Sequence, residues 1–186
     1  GAAAAAGKPS RIVAKMNALT DEGLMHALLR AGQQGARIDL IVRGACMLPT
    51  QVPGVSDNIR VRSIIGRFLE HSRVFYFSDG DTDDLYLASA DWMNRNMLRR
   101  IELAWPVTDP VLRQRVIDEC LVAGLCDGRD AWDLQPDGTY RLVDPELPGH
   151  GSQAALMARY GGQGFALASV PVSPDDKVSA PASTDQ

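Results

Sequence analysis

The sequence predicts an α/β domain, a mixed and mostly parallel sheet flanked by helices, and three stretches carry that prediction. Arg11 to Met16, Thr20 to Gln34 and Arg37 to Arg43 read as strand, helix and strand, and such a crossover makes a parallel pair. Val74 to Phe77 is a run of β-branched and aromatic residues that suits a packed, pleated surface. Val111 to Leu125 repeats apolar residues at helical spacing behind an Asp-Pro start.

Taken in order, residues 1–10 read as a flexible head. Ala2 to Ala6 lack the basic flank and the apolar length of a signal peptide. Thr20-Asp21-Glu22 supplies an N-cap and first-turn acids for the first helix, which keeps Leu24, Leu28 and Ala31 on one face and closes at Gly35. Gly44 to Asp57 carries Pro49, Pro53 and Gly54 and reads as a long loop, a kind that is more often functional than filler. Asn58 to Ile65 alternates as a strand, Ser78 to Asp81 is a hairpin-type turn, and Leu85 to Ala88 is a further strand. Ser89 to Asn96 is a polar cluster leading through Arg99–Trp105 to Pro106. In the last clear helix Leu112, Val116 and Cys120 stand at core spacing, and Trp132–Asp133 with Thr139–Val143 can add a small strand. The folded domain is expected over 11–145, with 146–186 a Gly/Pro/Ser-rich C-terminal tail, largely disordered. Trp92 and Trp105 are expected in the core, His26 and His150 in structural or exposed positions.

The 186 residues suffice for one domain with a core, and 45% hydrophobic with 23% charged content is ordinary for a globular protein. No apolar run is long enough to cross a bilayer. Cys46, Cys120 and Cys126 match no zinc pattern and cannot all pair within the chain, so reduced thiols and a cytoplasmic location are expected. The net charge is −4, yet Arg37 to Arg73 holds six arginines against three acids. A basic island in an acidic protein points to a local anionic ligand and away from a surface that wraps nucleic acid.

Candidate site residues follow from that island. His71 stands at a strand entrance between Glu70 and Arg73, where an imidazole can exchange a proton with a leaving phosphate. Arg62, Arg67 and Arg73 lie in the same Arg62–Phe77 stretch and offer guanidinium forks that match phosphate oxygens. Lys15, Asn17 and Arg43 fall at strand carboxyl ends, where open α/β sheets bind ligands. The plainer reading is a surface histidine beside a solvated arginine face, with Lys15 and Arg43 merely marking strand exits. No Walker loop, dinucleotide glycine fingerprint or paired metal-binding histidines occur in the sequence.

Five segments carry a resemblance: Ala14–Leu19 (Ala-Lys-Met-Asn-Ala-Leu), Ile41–Pro49 (Ile-Val-Arg-Gly-Ala-Cys-Met-Leu-Pro), Pro53–Val61, Ser63–Arg73 (Ser-Ile-Ile-Gly-Arg-Phe-Leu-Glu-His-Ser-Arg) and Ser89–Asn96 (Ser-Ala-Asp-Trp-Met-Asn-Arg-Asn). In this order and over about Arg11 to Leu125, with a weaker likeness at Gln153–Met157, the chain resembles the C-terminal part of the bacterial polyphosphate kinases. That family is built on phospholipase D-like domains, so the resemblance implies such a domain over 11–145. His-Ser-Arg at His71–Arg73 departs from the His-x-Lys of the wider superfamily and suits the kinase branch.

The resemblance implies reversible transfer of the terminal phosphate of ATP to inorganic polyphosphate through a phosphohistidine, with ADP as the other product. The phosphorylated histidine would belong to a preceding domain. Arg43 and His71 would bind the nucleotide phosphates and His71 would act in catalysis. Lys15, Asn17, Arg67 and Arg73 would support phosphate contacts, and Glu70 would orient the imidazole. Magnesium (Mg2+) is implied for the full enzyme with ligands outside this chain, no metal site being expected within it. A homo-oligomeric parent is implied, with its membrane association left open and no nucleic-acid partner. Two other functions stay open: a phospholipase D-like phosphodiesterase half-site, and a polyphosphate-binding module without catalysis.

Overall fold

The computed structural model describes residues 1–143 and 151–161. After a short helix α1 (Ala2–Ala5), the chain forms β1 (Arg11–Met16), α2 (Glu22–Gln33), β2 (Arg37–Val42) and β3 (Ile59–Ile64). It continues through β4 (Val74–Ser78), β5 (Asp83–Ala88), α3 (Asn94–Arg99), β6 (Ala104–Pro106) and α4 (Pro110–Val116). A π-helical turn (Ile117–Val122) joins α4 to α5 (Ala123–Leu125), and β7 (Ala131–Leu134), β8 (Tyr140–Leu142) and α6 (Ser152–Tyr160) follow. The strands make one sheet in the order β6-β5-β4-β1-β2-β3-β7-β8.

The α/β class and the mixed sheet flanked by helices are as expected, but the balance of strand directions is not. Between strands, parallel pairing is confined to β1–β2 and β2–β3, and the other strand pairings among the described residues are antiparallel. Crossovers over α2 and over the 43–58 loop keep β1, β2 and β3 parallel. Beyond them β4–β5 and β7–β8 are hairpins joined by short turns, which can join only antiparallel strands. Asp79 shapes the first, its Oδ1 accepting from Asp81 N at 3.1 Å and Thr82 N at 2.9 Å. Gly138, at φ +82°, stands in the turn between β7 and β8.

Alternation along the strands gives the sheet two apolar faces. Ala14 and Met16 of β1, with Ile38, Leu40 and Val42 of β2, pack under Leu28 and Ala31 of α2. Asp21 caps that helix by accepting from Leu24 N at 2.9 Å. On the opposite face Val13, Val74, Tyr76 and Leu85 pack against Ile117 and Leu121 of the π turn. Ile117 and Leu121 are the fully buried positions of this second helix; the predicted Val116 and Cys120 pack beside them partly buried, whereas Leu112 is exposed.

Trp92 is buried against Phe75, with ring centroids 4.9 Å apart. Trp105, expected in the core, is half exposed because β6 is the edge strand of the sheet. His26 is exposed on α2. The head holds α1, and the stretch read as tail holds α6, which returns to the domain. His150 and residues 162–186 lie outside the described residues. Among those described, no helix is long and apolar enough to cross a membrane.

Candidate functional site

Strand direction gathers the site. β1, β2, β3 and β5 run the same way, so their carboxyl ends meet the start of antiparallel β4 at one end of the sheet. Backbone bonds tie the exits together: Leu19 N donates to Ala45 O at 2.9 Å, and Thr20 N to Trp92 O at 2.8 Å. The segment after β1 thus lies between the segments after β2 and β5, fixing Asn17, Arg43 and Asp91 near one another.

Asp91 is the polar centre. Its Oδ1 accepts from Asn17 N at 2.7 Å, Asn17 Nδ2 at 3.0 Å and Arg73 Nε at 3.2 Å, and its Oδ2 from Arg73 NH2 at 3.0 Å. Burial raises the pKa of this carboxyl, but the bonds from Arg73 and Asn17 outweigh it and hold it below the usual carboxylate range. Asn96, also buried, donates from Nδ2 to Asp91 O at 3.2 Å, while its own Oδ1 has no partner among the described residues.

The run before β4 is clasped by two arginines. Arg43 NH1 donates to Glu70 O, and Arg73 NH1 to His71 O at 2.9 Å. Arg43 is itself held through its backbone carbonyl, which accepts from Ser63 Oγ at 2.8 Å. The Glu70 carboxylate pairs with nearly buried Lys15, and Lys15, Asn17, Arg43, Glu70 and Ser72 line a small cleft. His71, between the cleft-lining Glu70 and Ser72, is exposed, and its imidazole makes no hydrogen bond among the described residues.

Lys15, Asn17, Arg43, His71 and Arg73 are thus brought to one end of the sheet. Arg67 is not: it lies exposed on the loop before β4, its guanidinium 5.8 Å from the Phe68 ring centroid. Glu70 does not orient His71, since its carboxylate faces Lys15 and Gln153. With Glu70 on Lys15 and Asp91 on Asn17 and Arg73, neither carboxylate is free to hold a magnesium ion. Among the described residues no three His, Cys, Asp or Glu side chains come together as metal ligands.

Sequence reasoning missed Asp91 as the hub, and it gave Gln153 no part in the site. Gln153 Oε1 accepts from Phe68 N at 2.7 Å, while Nε2 donates to Phe68 O at 2.9 Å and Glu70 Oε1 at 3.0 Å. One amide from α6 therefore splints the loop that carries Glu70 and His71. A methyl on Gly66 would overlap that amide, so Gly66 is what lets α6 come this close. Gln153→Ala is expected to cost about 1–3 kcal/mol through the backbone groups left unpaired. Hydrogen exchange at the Phe68 amide should rise with it; unchanged protection there would show that the loop holds itself.

The chain can now be compared with known proteins. The family described as polyphosphate kinase C-terminal domain 2 matches residues 2–153. The polyphosphate kinase of Thermosynechococcus vestitus is 54% identical over 156 residues, covering 82% of this chain and 21% of that protein. The polyphosphate kinase of Neisseria meningitidis serogroup B is 57% identical over 142 residues, covering 76% of this chain and 21% of its own length. The crystal structure of polyphosphate kinase from Porphyromonas gingivalis superposes with a TM-score of 0.79 at 37% identity, covering 85% of this chain and 24% of that one. The chain spans about a fifth of the length of the curated relatives it matches. It belongs to the polyphosphate kinase C-terminal domain 2 family.

Proposed function

We propose that this chain is the last catalytic domain of a polyphosphate kinase that moves the terminal phosphate of ATP reversibly onto inorganic polyphosphate. In this reading a histidine on a preceding domain attacks the terminal phosphorus, a P–N bond replaces the P–O bond to ADP, and ADP leaves. A terminal polyphosphate oxygen then attacks the phosphohistidine, the P–N bond breaks and the chain is longer by one phosphate. The observation that carries the reading is the pair of clasps at the cleft, where Arg43 and Arg73 hold the carbonyls of Glu70 and His71 and leave the imidazole exposed.

Each residue then has a role set by its surroundings. Among the described residues Arg43 uses one of its five N–H donors, on Glu70 O, and it turns others to phosphate oxygens, neutralising charge that builds during transfer. His71 hydrogen-bonds the departing phosphate oxygen or gives it a proton. Lys15 is the reserve cation: an incoming phosphate competes with Glu70 for it. Asn17 and Arg73 are committed to Asp91 and act by positioning. Magnesium would bring charge neutralisation on the nucleotide; the carboxylates here do not fit it, and no step above depends on one. A homo-oligomeric parent and a cytoplasmic location belong to the same proposal.

Because the nucleophile lies outside these residues in this reading, the purified 186-residue chain is expected to bind without turning over. Calorimetric titration with long-chain polyphosphate and with ATP–magnesium should give salt-sensitive binding at the cleft that Arg43→Ala abolishes. ATP-dependent polyphosphate synthesis by the chain alone would overturn the division of labour, and binding indifferent to Arg43 would move the site elsewhere.

A further inference from the structure

Glu70 sits between the two cations that the transfer reading turns toward phosphate. Its backbone carbonyl accepts from Arg43 NH1, and its carboxylate pairs with Lys15. The Lys15 and Glu70 side chains are 10% and 22% exposed, so solvent and salt screen the pair little. The cleft that these residues line encloses about 10 Å³, room for roughly one water molecule. A phosphate group is several times larger, so it enters only when the carboxylate moves.

We infer that the Glu70 carboxylate stands in for a ligand phosphate and so makes the cleft select phosphate chains over orthophosphate; the choice of ligand rests on the polyphosphate reading above. A carboxylate oxygen on an ammonium, beside a guanidinium, makes the kind of contact that a phosphate oxygen would make there. An arriving anion must take Lys15 from a carboxylate that is tethered beside it and is always at high local concentration. A single phosphate group competes poorly, since it also meets the repulsion of the carboxylate it displaces. A linear oligophosphate reaches Arg43 with one group and Lys15 with a neighbouring one, and its second contact is then intramolecular as well.

The displaced carboxylate already has a second partner. Lys15 holds its Oε2, while Oε1 accepts from Gln153 Nε2 at 3.0 Å. Gln153 is itself fixed through Phe68, whose N and O it binds at 2.7 Å and 2.9 Å. Glu70 can therefore release Lys15 and keep a hydrogen bond, which lowers the cost of leaving a largely buried acceptor unpaired. Its carbonyl stays on Arg43, so the exchange at the side chain leaves the backbone beside His71 in place. Glu70 thus sets specificity by competing for the ligand's cation.

The test is a titration of the 186-residue chain with orthophosphate and with tripolyphosphate, read at the backbone amides of Glu70, His71 and Ser72. In the wild type these signals are expected to answer tripolyphosphate at far lower concentration than orthophosphate. Glu70→Gln keeps the shape of the side chain without its charge. It is expected to tighten orthophosphate binding about tenfold and tripolyphosphate binding less, so that the two affinities draw together. Asp84→Asn, which removes an exposed carboxylate at the start of β5, should change neither. An equal gain there would reduce the effect to net charge and overturn the inference. Glu70→Gln affinities no tighter than those of the wild type would also overturn it, and the catalytic reading would still stand on turnover by the full-length enzyme. Narrowed selectivity in Glu70→Gln beside a full-length enzyme that makes no polyphosphate would keep Glu70 in this role and overturn that reading.

Discussion

Asp91→Ala is expected to lower the melting temperature by about 10 °C. The Asp91 and Arg73 side chains are 11% and 12% exposed, so removing the carboxylate strands a nearly buried guanidinium. Breaking a buried pair from one side costs about 3–5 kcal/mol, and in a domain of this size each kcal/mol shifts the midpoint by about 2–4 °C. Two of the four lost hydrogen bonds also come from Asn17, one of them from its backbone, so the loop after β1 loosens as well. Adding Arg73→Met should recover part of the loss, because much of the cost is the unpaired charge.

The pH dependence has a definite sign. Asp91 has a depressed carboxyl pKa in the folded chain. Its stabilisation is therefore complete above the unfolded value of about 3.9 and is lost as pH falls through the lower native value. The gap between wild type and Asp91→Asn should hold near neutrality and narrow in that acid window. A gap that widens on acidification, or an Asp91→Ala protein that melts within about 2 °C of wild type, would show that solvent shares the network.

How far the sequence reveals this arrangement depends on the range of each interaction. The unit from β1 to β2 is legible because its signals are local: the Asp21 cap, the apolar face with Leu28 and Ala31, and the turn at Gly35 with φ +100°. Placement of Lys15, Asn17 and Arg43 at one end follows from strand direction alone. The antiparallel majority is harder to read, since turns such as Asp79–Thr82 fix local reversal but not which strand becomes β1's neighbour. Asp91 is hidden because its partners, Asn17 and Arg73, lie far from it in sequence and only the fold joins them. A carboxylate in a polar cluster just past a strand end was the one available signal. Gln153 was lost with the stretch read as tail, although Gln153–Met157 already carried a weak likeness. The arginine-rich stretch misleads in another way, for strand length and alternation separate residues that a charge count pools.

In a full-length enzyme carrying this domain, His71→Ala is expected to reduce kcat by about 10²–10⁴-fold, the usual contribution of a positioned acid or base. Stability should hardly change, within about 0.5 kcal/mol, because the imidazole is exposed and the local backbone is held through the His71 carbonyl by Arg73, which the substitution leaves in place. That contrast separates a chemical role from a structural one: Asp91→Ala should damage folding, whereas His71→Ala should damage only turnover. Arg43→Ala belongs with His71 in kinetics but should also raise KM, since its free N–H donors meet ground-state phosphate as well as the transferring group. His71→Gln keeps a hydrogen-bond donor but cannot shuttle a proton near neutrality. Rescue by glutamine would assign the imidazole to hydrogen bonding with the departing oxygen, and no rescue would assign it to proton delivery. Wild-type turnover in His71→Ala would remove His71 from the chemistry and leave Arg43, with Lys15 released from Glu70, as the site's contribution.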